Sequence, residues 1–231
     1  MENSADNFLN GKILLINKPL QWTSFQTVNK LKYLISRKFD FKKFKIGHAG
    51  TLDPLASGLL IICTGKYTKK ITEIQIQAKE YQGIITLGAT TPSYDLETEI
   101  DATFNTSFIT NEMIIETAKK FEGEIMQKPP IYSALKKDGI RLYEMARNNQ
   151  TVEIHARPTT IYKFEINKIE MPNVHFTIQC SKGTYIRSIA HDFGIALQSG
   201  AHLSQLIRTK IGEYNLDNAL TPEEFQLKLN S

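Results

Sequence analysis

Asp53 lies in the run Gly47-His48-Ala49-Gly50-Thr51-Leu52-Asp53-Pro54-Leu55-Ala56-Ser57-Gly58. Pro54 pushes Asp53 away from helical geometry and towards an extended one. The small residues around it let another backbone or a ligand approach closely. An ordered loop that ends in a buried strand is a platform for an exposed carboxylate. The same spacing also describes an Asp-Pro turn whose carboxylate only bonds the backbone, and on spacing alone that turn is the commoner case. A second segment is Cys180-Ser181-Lys182-Gly183-Thr184-Tyr185-Ile186-Arg187-Ser188, which reads as a strand end, a glycine and a helix start. That order places Lys182, Tyr185 and Arg187 near one edge, where a helix N-terminus favours anions. An ordinary capped helix with basic residues fits it equally. Gly65-Lys66 is followed by Tyr67 instead of the Ser or Thr of a phosphate-binding loop. His48 and Asp53 have no further His or Cys beside them in sequence to complete a metal set.

The elements that must position these residues follow from apolar spacing. Gly11 to Asn17 reads as a buried strand stopped by Lys18-Pro19, and Thr23 or Ser24 caps a helix through about Ser36. Leu59 to Thr64 reads as a buried strand, Thr68 to Ile76 as a short helix, and Tyr81 to Thr90 as a strand. Pro92 to Thr106 is polar and acidic, the composition of a surface connection. Thr110 caps a helix through about Phe121, and Gln127 to Gly139 is loop-like before a helix from Ile140 to about Asn148. Strands follow at Val152 to His155, Thr160 to Glu170 and Val174 to Cys180. A helix from Gly183 to about Leu197, a strand from Leu203 to Tyr214 and a capped helix from Thr221 close the chain. Without a regular βαβ rhythm, the pattern predicts an α+β fold with a largely antiparallel sheet.

Composition excludes several classes. With 231 residues, 41% of them hydrophobic, the chain can bury a sizeable core, which argues against global disorder. The acid-bearing N-terminus has no apolar core and is not a secretory signal, and runs such as Leu59 to Cys63 are too short to span a bilayer. Cys63 and Cys180 stand far apart, which suggests two buried thiols in a reducing, cytoplasmic compartment. The net charge of +4 is mild, but its distribution is uneven. Arg37, Lys38, Lys42, Lys43 and Lys45 crowd one stretch interleaved with Phe39, Phe41 and Phe44, and Lys66, Lys69 and Lys70 follow. Basic groups with aromatic neighbours suit nucleic acid, although a solvated helix end with inward-facing rings is the plainer account.

Gly47 to Gly65 (GHAGTLDPLASGLLIICTG) resembles the catalytic motif of the bacterial tRNA pseudouridine synthase B family. Ile13-Leu14-Leu15-Ile16-Asn17-Lys18-Pro19 with Trp22-Thr23-Ser24 is similar to its N-terminal motif, and Lys79-Glu80-Tyr81 to its second active-site strand. Pro130 to Arg147 resembles an RNA-contacting insertion, while Cys180 to Ser188 and Gly200 to Arg208 complete the pattern in order from about residue 11 to 214.

The resemblance implies a pseudouridine synthase fold in one catalytic domain over 1–231, with the insertion at about 129–159. It implies isomerisation of uridine 55 in the TΨC loop of tRNA. Asp53 is then the essential aspartate, attacking C1′, removing the C2′ proton or adding to C6, and Arg187 is its cationic partner. Tyr81 corresponds to the tyrosine that stacks on the flipped uracil and serves the C5 proton, as a base taken out of its own stack requires. Tyr185 matches a second pocket tyrosine, Leu206 the residue whose backbone reads the uracil edge, and His48 a histidine beside the target nucleotide. Lys18 and Lys136 are expected to contact phosphate or orient loops, and the Arg37–Lys45 and Lys66–Lys70 groups to face phosphate. An isomerisation changes no redox state, so neither cofactor nor metal is implied. The partner is the T-arm of tRNA, bound by a monomer with no obligate protein partner and no membrane.

Ala49 stands where many relatives have a small polar residue, and Lys66 where acidic ones are common. The chain ends soon after its last catalytic-domain strand, which implies a short form without a separate C-terminal RNA-binding domain. Three rivals remain: a noncatalytic tRNA-binding or folding factor on the same scaffold, a pseudouridine synthase for another RNA, and a glycosidase. The last normally needs two carboxylates flanking the bond, and no second acid sits in a comparable motif.

Overall fold

The computed structural model describes residues 4–133 and 153–231, with 136–137, 139–141 and 145 between them. In chain order the first elements are α1 (Ala5–Asn10), β1 (Ile13–Lys18), α2 (Ser24–Phe39), β2 (Ile46–His48) and β3 (Ala56–Thr64). A 3₁₀ turn (Gly65–Lys70), α3 (Ile71–Ile76), β4 (Lys79–Leu87), β5 (Ala89–Thr90), β6 (Ala102–Thr103), α4 (Asn111–Lys120) and β7 (Gly123–Gln127) follow. Then come β8 (Lys136–Lys137), β9 (Ile140–Arg141), β10 (Arg157–Glu170), β11 (Asn173–Cys180) and α5 (Ile186–Ala196). The chain closes with β12 (Ala201–Ile211), β13 (Tyr214–Asn215), a 3₁₀ turn (Leu216–Asn218) and α6 (Pro222–Asn230). The chain's contacts gather into two compact units, Met1–Tyr81 with Leu206–Ser231, and Gln82–Gln205.

In the first unit β3 pairs antiparallel with β1 and β2, and parallel with β12 through Leu206↔Ala56, Ile207↔Ser57 and Arg208↔Gly58. The unbroken apolar run of β3 has a physical reason. Leu60 and Ile62 pack with Phe8, Val28, Leu31, Ile35, Phe44, Phe225 and Leu229, whereas Leu59, Ile61 and Cys63 pack with Ala49, Ile74 and Ile211. Successive strand residues face opposite sides, so a strand buried on both faces needs no alternation. The close approach of β12 requires Gly58. Its φ is +102°, and a Cβ there would lie 2.5 Å from the carbonyl oxygen of Arg208. Helix α2 is closed at its start by a capping box, Thr23 with Gln26, and α6 by Thr221 with Glu224.

In the second unit β10 pairs antiparallel with both β11 and β7. Phe121, Phe164, Phe176 and Phe193 fill its centre with tilted and edge-on ring pairs 5.5–6.2 Å apart. The fold is α+β, with β12 parallel to β3 and the ladders of β1 with β3, β10 with β11 and β10 with β7 antiparallel.

Three local readings change. Helix α1 was not expected, because six residues carry too little periodicity; Ser4 caps it and Phe8 anchors it in the core. Residues 153–156 are irregular, so the strand expected from Val152 to His155 does not form there (Val152 lies outside the described residues), and the strand expected from Thr160 begins at Arg157. The connection over Pro92 to Thr106 is not wholly a surface one, since Ser93 and Asp95 are buried. The helix expected from Ile140 to Asn148 falls largely outside the described residues. Cys63 and Cys180 are buried thiols, and burial pushes the Cys63 thiol up to about 11. Among the described residues no helix is long and apolar enough to cross a membrane.

Candidate active site

The loop between β2 and β3 carries Asp53, and its backbone is held from three directions. The Ser24 hydroxyl donates to the carbonyl of Leu52 at 3.1 Å and accepts from the Leu52 amide at 2.9 Å. The amide of Gln21 donates to the Pro54 carbonyl at 2.8 Å, and that of Ala56 to the Asp53 carbonyl at 3.1 Å. From β12, Arg208 supplies three further bonds. Its Nε donates to Leu59 at 2.8 Å, Nη2 to Gly50 at 2.9 Å and Nη1 to Thr51 at 3.3 Å, all to backbone carbonyls. Arg208 is 1% exposed. Five donors in a planar fork suit this task, since one guanidinium satisfies several carbonyls that no strand ladder reaches.

Lys18 is wholly buried at the end of β1. Its ammonium donates to the carbonyls of Pro19 at 2.8 Å and Trp22 at 2.6 Å. Burial pulls its pKa down to about 8; the Asp53 carboxylate opposes that shift and the Arg208 guanidinium adds to it. Both bonds go to the turn that follows β1, and the side chain has no exposed surface. His48 is half-buried on β2 with its Nδ1 buried, and the ring lies against the Gly50 backbone, which favours its charged form. Burial and the neighbouring Arg208 lower its pKa below the usual 6.5, so the imidazole is neutral at pH 7.

Leu206 reaches the same loop through β12, paired opposite Ala56, three residues after Asp53. Tyr81 is buried in β4. Its neighbours in the motif are structural: Lys79 donates to the carbonyls of Gln75 and Gln77, and Glu80 accepts from Thr209 at 2.8 Å and Lys210 at 3.3 Å. Tyr81 therefore projects from the face opposite Glu80. Asp53, Lys18, His48, Tyr81 and Leu206 all belong to the first unit.

Arg187 and Tyr185 belong to the second unit, so the expected Asp53–Arg187 pair has one member in each. Arg187 is buried in the first turn of α5, where its Nε lies 3.6 Å from the Asp95 carboxylate and its Nη1 donates to the Ser93 carbonyl at 3.4 Å. Asp95 is only 5% exposed, and a buried carboxylate beside a guanidinium fixes the orientation of the planar fork. Tyr185 caps α5, its backbone bonded at both amide and carbonyl by the Gln127 side chain at 2.7 and 3.0 Å. The side chain of Lys136, in β8, lies outside the described residues.

Sequence reasoning missed Arg208 and Asp95. Arg208 carries only the signal of a cation in an otherwise strand-like run, and Asp95 only that of an acid in the polar run Pro92-Ser93-Tyr94-Asp95. Phe39, Phe41 and Phe44 stack on one another and pack on the core, so they are not platforms for bases. Lys66 donates to Asn10, and Lys70 sits over the Tyr67 ring. Among the described residues no group of three or more His, Cys, Asp or Glu side chains is placed to hold a metal ion.

One residue of α5 costs stability. Burial raises Asp192 from the ordinary 3.8 to about 6. A folded pKa above the unfolded one means that the folded state binds the extra proton between those values. The charged form is thus penalised above pH 6, and the penalty fades as pH falls towards 4. Asp192→Asn is expected to stabilise the protein by about 1 kcal/mol at pH 7.5, a figure discounted for solvent screening of a partly buried group. Thermal unfolding at pH 7.5 and pH 4 tests this, and an equal gain at both would contradict it.

The description TruB family pseudouridylate synthase (N terminal domain) matches residues 37–186. A tRNA pseudouridine synthase B from Flavobacterium johnsoniae is 62% identical over 227 residues, covering 98% of this chain and 99% of that protein. One from Phocaeicola vulgatus is 52% identical over 219 residues, covering 95% and 93%. Among solved structures, the chain resembles one in a Cbf5-Nop10-Gar1 complex, with a TM-score of 0.70 and 29% identity. That match covers 95% of this chain and 54%, about half, of the other. An H/ACA RNP bound to a substrate RNA containing 2'-deoxyuridine gives a TM-score of 0.66 at 26% identity, covering 95% and 53%.

Proposed function

The chain belongs to the TruB family of pseudouridylate synthases, and we propose that it isomerises uridine 55 in the TΨC loop of tRNA to pseudouridine. The observation that carries the reading is the Asp53 loop. Its carboxylate sits on a backbone held by Ser24 and Arg208, in a chain 62% identical to a tRNA pseudouridine synthase B along nearly its whole length. Held backbones hold reacting groups, and orientation of this kind supplies a large share of a catalysed rate.

The reaction breaks the N1–C1′ bond, turns the base and joins C5 to C1′, with the C5 proton lost and N1 protonated. Nothing is oxidised or reduced, so no cofactor is needed. Asp53 acts as nucleophile or base, Arg187 is its cationic partner, and Tyr81 receives the flipped uracil and serves the C5 proton. The fixed orientation of Arg187 against Asp95 supports that role, because a preset guanidinium reorganises little during reaction. By the family resemblance Leu206, Tyr185 and His48 are assigned contacts with the target nucleotide, and Lys18 the orientation of the loop. The protein acts on the T-arm in the cytoplasm, as a monomer without an obligate protein partner.

Incubating the purified chain with unmodified tRNA tritiated at uracil C5 is expected to release tritium and leave pseudouridine at one T-loop position. Free uracil would point to a glycosidase, pseudouridine elsewhere to another RNA target, and binding without tritium release to a noncatalytic factor.

A further inference from the structure

Ser93, Tyr94 and Asp95 each meet helix α5. The Ser93 carbonyl accepts from Arg187 Nη1 at 3.4 Å, and the Asp95 carboxylate lies 3.6 Å from Arg187 Nε. Between them Tyr94 lays its ring on His191, with centroids 3.9 Å apart and planes 13° from parallel. Arg187 and His191 stand four residues apart in α5, so they share one helix face. Both contacts to Arg187 are long, which leaves the guanidinium sensitive to a small slip of the segment along the helix. The stack is at van der Waals distance and resists that slip.

The two rings are held there at a cost. Tyr94 has a φ of +65°, a left-handed value uncommon for a bulky side chain. Such a conformation persists where the surroundings impose it. The Tyr94 amide donates to the Thr91 carbonyl at 3.1 Å, and the Leu203 amide to the Tyr94 carbonyl at 2.9 Å. Hydroxyls of Thr91 and Ser93 donate to the Asp95 carbonyl at 2.6 and 3.0 Å. His191 has its Nδ1 buried with no hydrogen-bond partner among the described residues, a loss that an apolar side chain would avoid. Burial lowers its pKa below the usual 6.5 against the pull of Asp101, so a neutral ring faces Tyr94 at pH 7. A turn that only closed the surface would call for neither the left-handed tyrosine nor the buried imidazole.

We infer that Tyr94 and His191 are positioning residues, whose stack fixes the register of Ser93 and Asp95 on Arg187 and so sets the guanidinium for the reaction. The inference rests on the role proposed above for Arg187.

The test replaces His191 by Ala or Phe and Tyr94 by Ala in the full chain, with folding checked by circular dichroism. On unmodified tRNA, His191→Ala is expected to lower kcat about tenfold and leave KM within about twofold, as loss of an interaction made only in the transition state does. His191→Phe keeps a flat face for Tyr94 and should return kcat to within about threefold of wild type. Tyr94→Ala should match His191→Ala, and the double variant should be no slower than either, because both remove one contact. If the alanine variant does not fold, His191→Leu fills the space without a flat face and is expected to show the same fall in kcat. A second measurement reads the guanidinium itself. By NMR, the Nε proton of Arg187 should exchange with water about tenfold faster in His191→Ala than in wild type. Wild-type kcat in His191→Ala, a phenylalanine variant as slow as the alanine one, additive losses in the double variant or unchanged exchange would each overturn the proposal. Absence of pseudouridine with the wild-type protein would instead sink the isomerase reading. In that case the exchange of the Arg187 proton still decides whether the stack holds the guanidinium.

Discussion

Asp53→Asn is expected to bind tRNA at close to wild-type affinity and to make no detectable pseudouridine, a loss of at least about 10⁴-fold in kcat, the scale seen when a reacting group is removed. The substitution keeps shape and removes only the charge. The loop should survive it, because bonds made by backbone atoms of Gly50, Thr51, Leu52, Asp53, Pro54 and Leu59 hold it and are left in place by the substitution. Every route open to Asp53, whether attack on C1′, abstraction at C2′ or addition to C6, needs its negative charge, and an amide is neither base nor nucleophile there. A second readout follows from Lys18. The Asp53 carboxylate now raises a pKa that burial lowers to about 8, so the variant should carry Lys18 lower still. Turnover within tenfold of wild type would remove Asp53 from the chemistry.

What the sequence made legible was local, and what it hid was assembled from distant segments. The capping boxes at Thr23 and Thr221 are written in four consecutive residues each, and the apolar run of β3 announces a strand buried on both faces. The Gly/Pro loop around Asp53 is likewise visible as a loop. Its rigidity is not, since that depends on Ser24, 28 positions away, and on Arg208, 149 positions from the Leu59 carbonyl it binds. Asp95 shows the same limit. In an acidic stretch it looks solvated, and it is buried because Arg187, a helix turn far along the chain, meets it and because Leu203 donates its amide to the adjacent Tyr94 carbonyl. Local spacing encodes turns and periods; it does not encode which charge is drawn under the surface by a partner elsewhere.

Arg208→Met should do more damage than any exposed substitution in this chain, and to both stability and rate. Methionine matches the aliphatic stem but leaves the carbonyls of Gly50, Thr51 and Leu59 without the donor they have. Unsatisfied buried acceptors cost about 1–3 kcal/mol each. Water entry and loop relaxation recover part of that, so a net loss of about 3–5 kcal/mol is expected, the range for breaking a buried charged network. The rate should fall by at least about 10²-fold even in conditions where the variant is folded, because a displacement of about an ångström in the Asp53 loop is enough for such a loss. Arg208→Lys keeps the charge but reaches fewer carbonyls, so it should recover part of the stability and less of the rate. The titration of His48 separates this role from a general loss of folding. Arg208 now depresses the pKa of both His48 and Lys18, and its removal must raise both. In the methionine variant the His48 ring should titrate closer to 6.5 by NMR, while in the lysine variant it should stay near its wild-type position. A methionine variant with kcat within twofold of wild type and an unmoved His48 would show that the Asp53 loop holds its shape without Arg208.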